Sequence, residues 1–300
     1  MKRALVTGAE GFTGRYLVAA LHEAGYEVHG LVHAAPETPV RGLAAQHVGD
    51  LGDGAGVMKI VGEVRPHHVA HLAAIAFVAH DDASAVYHTN IVGTRHLLEA
   101  LAGTGQKPES VLLASSANVY GNATEGVLDE TSAVAPANDY AVSKLAMEYL
   151  ARLYGGRLPL IISRPFNYTG VGQAESFLLP KIVAHVRRGA PVIELGNLDV
   201  ARDFSDVRMV VEAYLRLMQT PAAIGQVFNV CSGRAYTLNE VLNLAREISG
   251  KQFEVRVNPA FVRHNEVKVL LGNNRRLTDC VGPLQAIDLR DTLRWMIEAP

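Results

Sequence analysis

The chain is poor in cysteine, with only Cys231 and Cys280 among 300 residues. Two thiols so far apart give neither a disulfide framework nor metal-ligand spacing, and they read as buried or incidental. Excess charge is also missing: 28 Lys and Arg against 30 Asp and Glu leave a net −2 with no basic block. That excludes nucleic acid or an anionic membrane surface as the main partner. No apolar run reaches membrane-spanning length, and the strand behind Met-Lys-Arg is too short for a secretory signal, so the expected setting is a reducing cytoplasm. Internal repeats and low-complexity segments are absent as well. What the chain has in quantity is apolar residues, 49% of the total. Over this length they can bury a large core, as one big domain or a domain with a smaller appendage.

The first 32 residues alternate in a regular way. Arg3-Ala-Leu-Val-Thr7 reads as a short buried strand that runs into Gly8-Ala-Glu-Gly11-Phe-Thr-Gly14. A helix follows, with Tyr16, Leu17, Ala20 and Leu21 at helical spacing and a stop at Gly25; Glu27–Val32 is a second strand. In such a βαβ opening the glycines have separate tasks. Gly8 allows the tight turn, Gly11 lets backbone approach a pyrophosphate, and Gly14 lets helix pack closely on strand. The helix N-terminus then offers free N–H groups and its positive dipole end to the phosphate. An acid is expected at the end of the second strand to bind the adenine ribose 2′-hydroxyl, yet Leu31-Val32-His33-Ala34 has none. A 2′-phosphate is then not repelled, so NADP and NAD are both allowed and NADPH is slightly favoured, with His33 or Arg41 available to meet the phosphate.

Further strands are expected at His47-Val-Gly-Asp50-Leu51, His68–Ala74 and Ser110–Ser115, with a helix from Ser84 to about Ala102 between the last two. His67, His68 and His71 do not form a metal set, because alternate strand residues point to opposite faces and no acid or cysteine joins them. Ser115 and Ser116 end a central strand, where ligands sit in doubly wound sheets. Some two dozen residues later comes Tyr140-Ala-Val-Ser-Lys144, with Asn138 and Asp139 placed to cap its helix. Four residues of separation put phenol and ammonium on one helix face, and a fixed cation lowers the pKa of a nearby phenol.

Thr-Gly-x-x-Gly-Phe-x-Gly, a strand-end serine and Tyr-xxx-Lys together resemble the extended short-chain dehydrogenase/reductase family, across nearly the full length. The resemblance implies an α/β fold: a doubly wound, mostly parallel Rossmann sheet with a smaller α/β C-terminal lobe for substrate. Residues 1–165, with returning segments around 200–232, would bind the dinucleotide, and 166–300 mainly the nucleotide sugar. It implies Ser116, Tyr140 and Lys144 as catalytic residues, and a supporting role for Asn90 near them. Cofactor contacts are expected from Gly8, Gly11, Phe12, Thr13, Gly14, His33, Asp50, Leu51, Leu72, Ala73, Ala74, Ser115, Tyr140, Lys144, Pro165 and Phe166.

Arg164-Pro-Phe-Asn167 is similar to a motif of the nucleotide-sugar branch, which makes Asn167 a substrate contact. Arg202-Asp-Phe and Arg263-x-x-Glu-Val resemble diphosphate- and base-binding positions of GDP-sugar enzymes. Arg202, Arg234, Arg263 and Glu266 are therefore expected on the substrate, since Arg suits diphosphate and a carboxylate can accept from guanine. Among branch members the chain is most similar to GDP-4-dehydro-6-deoxy-D-mannose reductases. The two residues after Ser116 are Ala117 and Asn118, and neither titrates, which argues against a 4,6-dehydratase. A Cys/His pair for epimerisation beside the ketone is replaced by Asn118 and Phe177. The expected reaction is hydride transfer to C4 of GDP-4-dehydro-6-deoxy-D-mannose, giving GDP-D-rhamnose, in a homodimer. Alternatives are a nucleotide-sugar 4-epimerase with tightly held NAD and a non-catalytic dinucleotide-binding module.

Overall fold

A computed structural model describes residues 1–76, 82–122, 126–262 and 268–300. The first strand, Arg3–Thr7 (β1), carries Ala4, Leu5 and Val6 with no exposed surface. A continuous apolar run of this kind belongs to a parallel strand covered on both faces. Phe12–Glu23 (α1) follows and returns the chain to Glu27–Val32 (β2) and Leu43–Val48 (β3). Gly54–Val64 (α2) starts at Asp53, whose carboxylate caps Ala55 N and Gly56 N, and leads to His68–His71 (β4). That strand stops at His71 and not at Ala74, because Leu72 to Ala74 leave the sheet to run past the glycine-rich loop.

Ala83–Tyr87 (α3) passes through one π-helical turn, His88–Gly93, into Thr94–Gly103 (α4). Then come Ser110–Ala114 (β5), the short Val127–Leu128 (β6), Asp139–Arg152 (α5), Leu160–Pro165 (β7) and Asn167–Thr169 (β8). The last third holds Leu178–Arg188 (α6), Val192–Leu195 (β9), Ala201–Asp206 (β10), Val207–Gln219 (α7), Val227–Val230 (β11) and Ala235–Thr237 (β12). Leu238–Ser249 (α8), Glu254–Val257 (β13), Val269–Gly272 (β14), Arg275–Val281 (α9) and Leu289–Glu298 (α10) complete the chain.

The main sheet has the order β11-β7-β5-β4-β1-β2-β3, and every pairing in it is parallel. Apolar faces of α1 and α7 cover one side; α2, α4 and α5 cover the other. This is the doubly wound Rossmann α/β fold anticipated from the sequence. The strand order reverses between β1 and β4, and the crevice beyond the C-terminal ends of these two strands is where such a fold takes its ligand. A second sheet, β12-β10-β14-β6 with β8 beside β10, lies against it and packs with α6, α8 and α10 around a separate apolar cluster.

Within the segments around 200–232 expected to return to the dinucleotide domain, β11 rejoins the main sheet beside β7. Arg202-Asp-Phe, polar enough to suggest a loop, lies within β10. Its buried carboxylate explains how a polar segment can be a strand: Asp203 accepts from Ser232 N (2.8 Å), Ser232 Oγ (2.7 Å) and Gly233 N (2.8 Å). No helix among the described residues is long and apolar enough to cross a membrane.

Candidate active site

The glycine-rich loop forms a cradle that larger residues would fill. Gly8 has φ +68°, and a Cβ there would stand 2.9 Å from Ala73 Cα and N, across the gap between β1 and β4. A Cβ on Gly14 would meet Gly8 O at 2.1 Å. Gly11 begins α1 with no side-chain cap and no acid in the first turn, so the N–H groups there are left for an anion. Leu72, Ala73 and Ala74 line the facing segment, with Ala73 N donating to Thr7 Oγ1 at 3.2 Å. These features fit a dinucleotide pyrophosphate. Phe12 and Thr13 serve the loop differently: Phe12 stacks on Tyr168 with ring centroids 6.1 Å apart, and Thr13 Oγ1 lies 2.8 Å from the Tyr168 hydroxyl. Beyond β2, His33 is exposed and its amide donates to Glu10 Oε1 at 2.9 Å. Asp50 is exposed in the turn after β3 and accepts from Gly52 N at 2.8 Å, whereas Leu51 is buried against Gly93.

Asn138 caps α5 by accepting from Ala141 N at 2.9 Å, which sets Tyr140 in the first turn and Lys144 one turn on. Lys144 is buried, donates to Ala114 O at 2.8 Å, and holds its ammonium 5.9 Å from the centre of the Tyr140 ring. Burial pulls its pKa down to about 8, against the pull of Glu148 in the other direction. The Tyr140 phenol moves the opposite way from the sequence expectation. Burial raises its pKa, the neighbouring Tyr168 adds to the rise, and a hydrogen bond with Ser116 partly offsets it. The Lys144 ammonium, turned to the Ala114 carbonyl, does not offset this rise. Ser116 begins the 3₁₀ turn Ala117–Tyr120, and its Oγ accepts from Asn118 N and Asn118 Nδ2, both at 3.2 Å. Its own proton is thereby left for the cleft. The structure thus brings Ser116, Tyr140 and Lys144 together.

Ser115 was expected on the cofactor, but its hydroxyl is committed elsewhere, donating to Glu148 Oε1 at 2.5 Å. Glu148 is fully buried and takes both arms of Arg164, Nε at 2.9 Å and Nη2 at 2.6 Å. Arg164 Nη1 also donates to the Tyr120 hydroxyl at 3.1 Å, and that hydroxyl donates to Asn229 Oδ1 at 2.6 Å. The sequence reading passed over this network. Its signal was Tyr140, Lys144 and Glu148 at i, i+4 and i+8 on one face of α5.

A second buried chain fixes the approach from β4. His71 lies between Thr7 Oγ1 (2.7 Å) and Thr94 Oγ1 (2.8 Å), and burial, with Lys144 adding, drops its pKa to about 3. Asn90, in the π turn, donates to Ser143 Oγ (2.9 Å) and to Ile75 O (3.2 Å) and accepts from Ile75 N, which braces α5 against the cleft wall. The three histidines diverge. His67 Nδ1 accepts from Arg3 N at 3.0 Å, and His68 Nδ1 lies 2.8 Å from Ser110 Oγ.

Pro165 ends β7. The Phe166 ring is buried against Tyr120 and Gly272, so only the backbone of this pair is left to flank a nicotinamide. Asn167 is exposed on β8. Arg202 Nη1 donates to Ala201 O (2.8 Å) and Lys268 O (3.3 Å) within the second sheet. Arg234 is exposed, stacks on Tyr236 at 4.4 Å and pairs with Asp288 at 3.2 Å. Since Tyr236 lies opposite Arg202 in the β10–β12 ladder, the two arginines come to one sheet region. Arg263 and Glu266 lie outside the described residues.

Comparison with known proteins agrees with this geometry. Residues 5–296 match the family model described as GDP-mannose 4,6 dehydratase. The GDP-6-deoxy-D-mannose reductase of Pseudomonas aeruginosa is 35% identical over 99% of this chain and 96% of its own. The GDP-6-deoxy-D-talose 4-dehydrogenase of Aggregatibacter actinomycetemcomitans is 32% identical over 93% of this chain and 90% of its own. Among solved structures, a candidate epimerase from Burkholderia cenocepacia superposes with a TM-score of 0.94 at 54% identity, covering 99% of this chain and 97% of that one. RMD from Pseudomonas aeruginosa complexed with NADPH gives 0.84 at 32% identity, covering 99% and 96%. A Thermus thermophilus UDP-glucose 4-epimerase complexed with NAD gives 0.88 at 28% identity, covering 99% and 98%. The chain belongs to the GDP-mannose 4,6-dehydratase family of extended short-chain dehydrogenases/reductases, and it is an NAD(P)-dependent oxidoreductase.

Proposed function

We propose that the protein reduces C4 of GDP-4-dehydro-6-deoxy-D-mannose to give GDP-D-rhamnose. The observation that carries this is the proton donor that the cleft presents beside Ser116, the Tyr140 phenol, held neutral by burial. A reduction starts with the proton on the tyrosine, which is what a raised pKa secures at neutral pH. The positions that would serve other chemistry are inert: Ala117 is buried, Asn118 is tied to Ser116, and Phe177 stands before the first turn of α6. A 4,6-dehydratase needs acids after the serine, so the family's eponymous reaction lacks its proton carriers here.

A reduced dinucleotide whose pyrophosphate is held at Gly8, Gly11 and Gly14 would supply the hydride for the sugar ketone. Ser116 donates a hydrogen bond to the ketone oxygen, and Tyr140 delivers its phenolic proton to the same atom. Lys144 contributes a buried positive charge that stabilises the phenolate left behind, and it is assigned to the ribose hydroxyls. Asn167, Arg202 and Arg234, with Arg263 and Glu266, are assigned to the nucleotide-sugar end. The protein acts as a homodimer. Tyr140→Phe is expected to lower turnover about a hundred- to ten-thousandfold with dinucleotide affinity close to wild type; undiminished turnover would remove the phenol from the mechanism.

The solved relatives named as epimerases favour one second reading, a nucleotide-sugar 4-epimerase built on the same three residues. Dinucleotide retained through purification, with interconversion of UDP-glucose and UDP-galactose in the absence of added cofactor, is its signature.

A further inference from the structure

We infer that Glu10 sets the dinucleotide preference, selecting a free adenosine 2′-hydroxyl and so NADH over NADPH. The sequence offers no acid at the end of β2, but the fold brings one there from the preceding loop. Glu10 lies between Gly8 and Gly11, and its Oε1 accepts the amide of His33, the first residue beyond β2, at 2.9 Å. The carboxylate is thus pinned where a doubly wound fold holds the adenine ribose. Its other oxygen, Oε2, is buried and has no hydrogen-bond partner. A buried carboxylate oxygen without a donor costs free energy until one arrives, and a ribose hydroxyl brings one. A 2′-phosphate offers no such proton and places like charge beside the carboxylate.

Among the described residues Glu10 forms no ion pair. Arg15, in the first turn of α1, is spent on carbonyls: Nε on Glu10 O at 2.9 Å and Nη2 on Thr38 O at 3.0 Å. The slight preference for NADPH expected from the sequence rested on an empty position that Glu10 fills. The inference rests on the dinucleotide-binding part of the proposed function and is independent of which sugar is reduced.

The test is direct binding without sugar, by titrating protein freed of nucleotide with NADH and with NADPH and following nicotinamide fluorescence. Wild type is expected to bind NADH at least about tenfold more tightly, a difference of about 1.4 kcal/mol. Glu10→Ala is expected to bring the two affinities within about threefold, chiefly by tightening NADPH. Glu10→Gln keeps an acceptor for His33 N, so it guards against a collapsed loop, and it is expected to improve NADPH binding as well. Equal affinities or an NADPH preference in wild type would overturn the assignment, as would an unchanged ratio in a folded Glu10→Gln. Selective NADH binding with no turnover of any GDP-keto-sugar would sink the reductase reading and leave Glu10 standing. Binding of neither dinucleotide would sink both.

Discussion

At the scale of single residues, the cleft is governed by desolvation more than by pairing. Burial pushes the Tyr140 phenol up and the Lys144 ammonium down to about 8, so both groups are moved toward their neutral forms. For the phenol that means a stored proton. For the lysine it means a charge present below about pH 8 and lost above it. The rate kcat/KM of the reductive reaction is therefore expected to fall as pH rises through about 8, in a pH profile taken at saturating dinucleotide. A profile that stays flat well into the alkaline range would show that the Lys144 charge does not matter to the step. The sequence made the triad legible because Ser116, Tyr140 and Lys144 follow a fixed spacing. It pointed the wrong way for the phenol, because spacing reports that two groups share a helix face and says nothing about where the ammonium finds its acceptor.

At the scale of elements, α5 and β7 are tied by a buried ion pair that no sequence motif announces. Glu148 continues the stripe of Tyr140 and Lys144, and Arg164 opens the segment before Asn167; the same carboxylate takes the Ser115 hydroxyl. Removing one partner of such a pair leaves an uncompensated buried charge, at a cost of about 3–5 kcal/mol. Glu148→Ala is expected to lose stability of that order in urea unfolding, whereas a loss below about 1 kcal/mol would mean that water reaches Arg164. The same contrast explains what was legible of the fold. β1, β5 and β7 announce themselves as apolar runs. β10 did not, because Asp203 is a polar residue satisfied inside a strand by Ser232 and Gly233, which come from another part of the chain. Glu10 was hidden for a related reason: the acid needed at the end of β2 comes from the loop before α1.

At the scale of the whole molecule, the strand-order reversal between β1 and β4 places the glycine cradle beside the end of β5, where Ser116 stands, and α5 closes the same crevice. The second sheet brings Arg202 and Arg234 to one region from a part of the chain whose pattern was irregular in sequence. One outer surface remains unexplained by this arrangement. Val142, Tyr149 and Leu153 lie seven and four residues apart on α5 and its C-terminal end, and they are 39%, 53% and 78% exposed. An apolar stripe of this spacing suits a helix–helix contact with a second copy. Light scattering is expected to give twice the chain mass of 32.3 kDa, and the double change Tyr149→Glu with Leu153→Glu to give the monomer; a monomeric wild type would contradict the dimer.

The central claim is that one phenol and a hydride complete the reaction with no second acid or base. It is tested most directly by mass spectrometry and NMR of the product from freshly made GDP-4-dehydro-6-deoxy-D-mannose, run once with deuterated NADH or NADPH and once in D₂O. The account predicts one deuterium at C4 in the first experiment and no carbon-bound deuterium in the second. Solvent deuterium at C3 or C5, or a product without label at C4, would contradict it.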